Sequence, residues 1–164
     1  MKESSQKILV RRADITDVKD ISQLLYELYV EDMQSDYTKE ELLEEVGHMF
    51  FDYKNAFFLA DVGKSKVGVA HCSLREEYVN GKEYEGACGY LEAIYVKEEY
   101  RKHGIGKKLV SAGEDWAKGH ECREFLSDCL LENTDSLNFH IKLGFVETER
   151  NIFFRKEFNP KKHD

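Results

Sequence analysis

The chain has 164 residues, 41% of them hydrophobic and 34% charged, with a formal net charge of −8. That length suits one domain with a proper core, and no apolar run approaches the roughly 20 residues of a membrane helix. The acidic balance argues against nucleic acid, whose phosphates need basic surface, and favours a cationic partner. The opening MKESSQK lacks the apolar stretch of a secretory signal. Cys72, Cys88, Cys122 and Cys129 show neither C-x-x-C spacing nor pairing with His at metal-ligand spacing. Reduced thiols in a cytoplasmic protein, with no metal, are the expectation.

In chain order, residues 8–12 read as a short strand. Asp14 or Thr16 caps a helix whose apolar stripe is Val18, Ile21, Leu25 and Leu28. An acidic bend follows, and Thr38 opens a second helix with Glu41 at the capping-box position and Leu42, Val46, Met49 and Phe50 facing inward. Residues 56–62 and 66–74 form a hairpin about Gly63-Lys64-Ser65, with Cys72 as a small hydrophobe. Asn80-Gly81 is a turn signal. Residues 90–96 are a buried strand, 104–119 a helix, 125–130 another buried strand, and 134–143 a short helix stopped by Gly144. Residues 145–148 and 152–158 close the chain as a strand pair. Residues 1–158 therefore read as one domain and 159–164 as a polar tail.

The stretch from Tyr90 to Trp116 organises the rest. Arg101, Gly104 and Gly106 stand as R-x-x-G-x-G between a strand and a helix in which Ile105, Leu109, Ala112 and Trp116 share one face. A helix opening out of a glycine loop presents unpaired amide N–H groups and the positive end of its dipole. Arg101, Lys102, Lys107 and Lys108 add charge at the same point, which makes a phosphate cradle. Lys108 stands where a nucleotide P-loop needs Ser or Thr, and Leu109 where the dinucleotide fingerprint needs glycine, so neither of those readings holds.

Two carboxylates interrupt apolar strands. Glu92 lies in YLEAIYV, where alternation puts it on the face of Tyr90, Ile94 and Val96; Asp128 lies between Leu126 and Leu130. A carboxylate in a mostly buried strand is functional, or else it is paired with an internal Arg or Lys. A third acidic feature is the stretch from Glu27 to Glu45, with eight carboxylates against Lys39. Glu40, Glu41, Glu44 and Glu45 read as a solvated helix face, whereas Glu31, Asp32 and Asp36 lie between helices within reach of a ligand.

The loop R-x-x-G-x-G behind L-E-x-I-x-V resembles the acetyl-CoA site of the GNAT superfamily of N-acetyltransferases, and the order β-α-α-β-β-β-α-β-α-β-β matches that arrangement over essentially the whole chain. The resemblance implies an α/β (α+β) fold with a mixed central sheet, flanking helices and two parallel strands, 90–96 and 125–130, that splay apart to admit pantetheine. It implies that the backbone of Ile94 and Val96 holds pantetheine, that Arg101, Lys102, His103, Gly104, Ile105, Gly106 and Lys107 hold the pyrophosphate, and that the Ile94 N–H polarises the thioester carbonyl. Asn133 and the run FHIKLGF (139–145) match the family's asparagine and its F-Y-x-x-L-G-F signature. His140 replaces the tyrosine that protonates the leaving thiolate; histidine is able to do this near neutral pH, or to hydrogen-bond coenzyme A, or to fill helix surface.

Further segments narrow the resemblance: SLREEYVNG (73–81), CREFLSD (122–128), ENT (132–134) and LGFVETERNIFFRK (143–156) look like the compact, homodimeric branch of the aminoglycoside 6′-N-acetyltransferases. That resemblance implies that Tyr78, Glu92 and Asp128 line the acceptor pocket and that Tyr29, Asp32 and Asp36 help shape it. The implied reaction is direct transfer from acetyl-CoA to an aminoglycoside 6′-amine, with Glu92 or Asp128 taking the proton. No covalent intermediate is expected, since no cysteine has an activating neighbour. A polyamine or protein amine as acceptor, and a non-catalytic acetyl-CoA-binding module, are the alternatives.

Overall fold

The computed structural model describes residues 7–79 and 82–158, apart from the side chains of residues 77–79 and 82–85. The element order is β1 (Ile8–Arg12), α1 (Val18–Tyr26), α2 (Lys39–Met49), β2 (Asn55–Val62), β3 (Ser65–Val79), β4 (Lys82–Val96), α3 (Ile105–Gly119), β5 (Phe125–Ser127) and α4 (Thr134–Lys142). The chain divides into two compact units, Met1–Asp128 and Cys129–Asp164. The first carries a sheet in the order β1-β2-β3-β4-β5, antiparallel except for the parallel pair β4–β5.

Local chemistry sets the helix starts. Thr38 and Glu41 form the expected capping box at α2. Asp14 caps a 3₁₀ turn, Ile15–Asp17, that leads into α1. Beyond Tyr26 the helix widens into a π-helical stretch, Glu27–Asp32, so Glu31 and Asp32 are helical rather than in a bend. Such widenings are uncommon and cluster at functional sites.

Each face of the sheet has its own cover. Ile21, Leu24 and Leu25 of α1 and Val46 of α2 pack with Phe57, Leu59, Val69 and Ala93. The other face meets α3 at close quarters: a Cβ built on Gly113 would sit 2.6 Å from Cys72 Sγ, and one on Gly68 3.2 Å from Leu109 Cδ1. Neighbouring residues on a strand point to opposite faces, so Val69 under α1 and Gly68 under α3 define the two sides.

A β-bulge interrupts this alternation. His71 pairs with Ala93 and Cys72 with Leu91, which leaves Glu92 as the extra residue of β4. Glu92 therefore keeps the face of Tyr90, but Ile94 and Val96 do not share it. Val96 lies 3.3 Å from the Cβ position of Gly68 on the α3 side, and Ile94, paired with Ala70, follows it there.

Two further expectations are corrected. Strand β5 ends at Ser127 rather than residue 130, because its pairing runs only from Gly89↔Phe125 to Leu91↔Ser127 and stops where β4 bulges. Asp128 is consequently an exposed residue just past the strand, not a buried one within it. Residues 145–148 and 152–158 form no strands. Val146, Ile152, Phe153, Phe154 and Phe158 are 80–92% exposed, and an apolar pattern makes a strand only where an edge is available to pair with it. The Asn80-Gly81 turn and the 159–164 tail lie outside the described residues.

Candidate active site

Ser73 and Arg75 alternate along β3 on the face that carries Tyr90 and Glu92 of β4. The Arg75 guanidinium forks the Glu92 carboxylate, with Nε donating to Oε1 at 2.9 Å and Nη2 to Oε2 at 2.6 Å. The Ser73 hydroxyl also donates to Oε1. Burial pushes the Glu92 carboxyl upward, but the Arg75 and Ser73 hydrogen bonds outweigh it and hold the group below the usual carboxylate range. Glu92 is thus an ionised, fully engaged carboxylate; the internal arginine of the ion-pair alternative is Arg75.

The same guanidinium lies face-on to Tyr90, with Cζ 3.4 Å from the ring centroid. The Tyr90 hydroxyl in turn donates to Asp128 Oδ1 at 2.5 Å. Burial first, then the Asp128 hydrogen bond, raise the Tyr90 phenol above its ordinary range, which keeps it a donor. Glu92 and Asp128, far apart in sequence, therefore meet through Arg75 and Tyr90 on one face of the parallel pair β4–β5. Sequence reasoning passed over Arg75, Ser73 and Tyr90 as site residues; the i, i+2 spacing of Ser73 and Arg75 opposite Tyr90 was the available signal.

The π-helical stretch borders this cluster. Tyr29 packs against Tyr37 with ring centroids 5.7 Å apart. Burial, with smaller contributions from the charges of Glu45 and Glu92, pushes its phenol up to about 12. Asp36 is exposed and joins no contact of the cluster. The side chain of Tyr78 lies outside the described residues.

The glycine loop has the geometry of a phosphate site. Arg101, Lys102, His103 and Gly104 are exposed, Gly104 is left-handed at φ 77°, and a Cβ on it would meet nothing within 4 Å. No side chain caps α3, so the N–H groups of Ile105, Gly106 and Lys107 lie where a helix has no internal acceptors for them. Arg101 also donates to the Val96 carbonyl at 2.7 Å and reaches Asp32 at 3.3 Å. Past Leu91, where pairing with β5 ends, the β5-side edge of β4 has no strand partner among the described residues, and that stretch includes Ile94 and Val96. Loop and open edge together fit a diphosphate followed by an extended chain that pairs with backbone.

In the second unit, the Asn133 side chain accepts from the Ser136 N–H at 3.0 Å and caps α4. His140 is buried, which removes the helix-surface alternative. Its Nδ1 lies 2.7 Å from the Ser136 carbonyl and so carries the proton in the neutral ring.

Burial pushes the Cys72 thiol up to about 12, so it is no nucleophile. Among the described residues no group of three or more His, Cys, Asp or Glu could hold a metal ion, and no helix is long and apolar enough to cross a membrane.

Known proteins share this fold. The family model for the acetyltransferase (GNAT) family matches residues 22–145. An aminoglycoside N(6′)-acetyltransferase type 1 of Stenotrophomonas maltophilia is 36% identical over 122 residues, covering 74% of this chain and 79% of that one. One from Salmonella typhimurium is 42% identical over 101 residues, covering 62% and 69%. The solved structure of aminoglycoside N-acetyltransferase AAC(6′)-Iy in complex with CoA superimposes with a TM-score of 0.86 at 30% identity, over 95% of this chain and 99% of that one. The same enzyme with the bisubstrate analogue CoA-S-monomethyl-acetylneamine gives 0.83 at 31%, over 92% and 99%.

Proposed function

The chain belongs to the GNAT acetyltransferase family, and we propose that it transfers the acetyl group of acetyl-CoA directly to the 6′-amine of an aminoglycoside. The observation that carries this reading is the pair Glu92 and Asp128, joined through Arg75 and Tyr90 beside the open edge of β4. A polyamine with many hydroxyls finds charge and hydrogen-bond acceptors there. Similarity to aminoglycoside 6′-N-acetyltransferases supports the choice of acceptor.

In the reaction, Arg101, Lys102, His103 and the amides of Gly104 to Lys107 hold the diphosphate, and the backbone of Ile94 and Val96 aligns pantetheine. The Ile94 N–H steadies the carbonyl oxygen as charge develops on it. An ammonium has no lone pair, so the acceptor must lose a proton before attack. Glu92, its charge compensated by Arg75 and its orientation fixed by Arg75 and Ser73, forms a fixed polar wall of the acceptor site. Asp128, exposed and bonded to Tyr90, takes the proton directly or through water. Tyr29, Asp32 and Asp36 border the acceptor, Asn133 contributes to the coenzyme site, and His140 is the acid for the departing thiolate.

The enzyme works in the cytoplasm, a reading supported by four unpaired cysteines. It works as a homodimer in which a second copy covers Ile152, Phe153, Phe154 and Phe158. Four side chains 80–92% exposed within seven residues are more than a lone soluble chain tolerates.

An amine-panel assay that follows CoA release tests the reading. Turnover with kanamycin or tobramycin is the expected result. Turnover with spermidine or a peptide amine alone would replace the acceptor, and saturable acetyl-CoA binding without transfer to any amine would replace the activity with sensing.

A further inference from the structure

The acceptor cleft contains its own cation. Arg75 links both halves of the carboxylate pair: it forks Glu92 and stacks on the ring whose hydroxyl holds Asp128. An amine placed between two uncompensated carboxylates would bind well but would stay protonated, because neighbouring negative charge favours the ammonium. Attack needs the opposite. We propose that Arg75 is a positioning residue that cancels one of the two carboxylate charges, so that the reacting amine binds against a net charge of one rather than two and loses its proton more readily.

Three features of the geometry support this. The fork is bidentate, which fixes Glu92 in one orientation rather than leaving it free to swing onto the acceptor. The guanidinium stays charged throughout the working pH range, so the compensation does not titrate away. The Tyr90 face supplies a second contact that a flexible lysine would not hold as well. The other groups around Glu92 do not replace Arg75. His71 is buried and held neutral, with its pKa pushed down to about 4. Burial raises the phenols of Tyr29 and Tyr90 and the thiol of Cys72, leaving them uncharged. Asp128 adds negative charge.

The inference rests on an amine acceptor at this site, so the experiment separates the two. The full chain is compared with Arg75→Gln and Arg75→Lys, with thermal melts and acetyl-CoA KM as controls for folding and for the coenzyme site. Titration of the ¹³C-labelled Glu92 carboxyl, assigned through Glu92→Gln, needs no acceptor. Its midpoint should rise in Arg75→Gln and stay near the wild-type value in Arg75→Lys. With kanamycin, Arg75→Gln should lower the acceptor KM several-fold, up to about tenfold, and move the rising limb of the kcat–pH profile upward by about half to one unit. Arg75→Lys should keep that limb in place at reduced kcat. An unmoved Glu92 midpoint, or a kcat lowered equally at every pH, overturns the role of Arg75. Absence of wild-type turnover on every amine instead removes the acceptor reading beneath it.

Discussion

Arg101 Nη2 lies 3.3 Å from Asp32 Oδ2, so a residue expected at the coenzyme diphosphate and one expected at the acceptor are each other's partner. Both side chains are about half exposed, at 46% and 47%, and such pairs contribute only about 0–1 kcal/mol. The guanidinium can therefore exchange the carboxylate for a phosphate at little cost. Asp32→Asn should leave the melting temperature nearly unchanged and lower the Kd for CoA two- to threefold. Arg101→Gln should raise that Kd about tenfold, through loss of a charged phosphate contact. Calorimetric CoA binding to the two variants checks both, and a weaker Asp32→Asn complex would contradict the exchange.

Glu92 and Asp128 should separate kinetically. Asp128→Asn removes the proton acceptor and should reduce kcat by about 10²-fold or more. Glu92→Gln should act mainly on acceptor KM, because its carboxylate is committed to Arg75 and Ser73. Steady-state kinetics with one aminoglycoside at saturating acetyl-CoA measures both. Equal kcat losses in the two variants would make Glu92 a partner in the proton transfer.

At Gly89 helix α3 lies close against the sheet. A Cβ there would lie 2.5 Å from Ala117 Cβ and 2.7 Å from Phe125 Cδ2. Gly89→Ala should destabilise the fold by about 1–3 kcal/mol, and adding Ala117→Gly should recover part of the loss. Urea unfolding of the single and double variants gives the coupling.

His71 predicts a pH dependence of stability. It stacks on Phe57 at 4.5 Å between ring centroids, lies 2.8 Å from Asn55 Oδ1, and burial lowers its pKa from 6.5 to about 4. The unfolded chain binds this proton first as pH falls. The stabilisation from keeping the ring neutral is complete above about pH 6.5 and is lost as pH drops toward 4. It amounts to about 3 kcal/mol at most. His71→Gln should flatten the unfolding free energy over that window relative to wild type, as measured by urea titrations at several pH values.

The order of elements as far as α4 was legible in the residues, because capping pairs such as Thr38 with Glu41, the stripe of Ile105 and Leu109, and the apolar run around Glu92 are local signals with local causes. The glycine loop was legible for the same reason: a left-handed Gly104 ahead of an amphipathic helix is written in adjacent residues. What no local pattern contained was the bulge at Glu92, which depends on how β3 pairs with β4, turns Ile94 and Val96 to the α3 side and ends β5 at Ser127. Arg75 between Glu92 and Tyr90 is likewise a product of strand register. The C-terminal apolar pattern read as strands, yet residues 152–158 form none and Ile152, Phe153, Phe154 and Phe158 are exposed. Sequence by itself determined which groups the chain owns and which helices they start. Tertiary structure alone decided which charges face one another, since a one-residue slip in pairing carries every following side chain to the other side of a sheet.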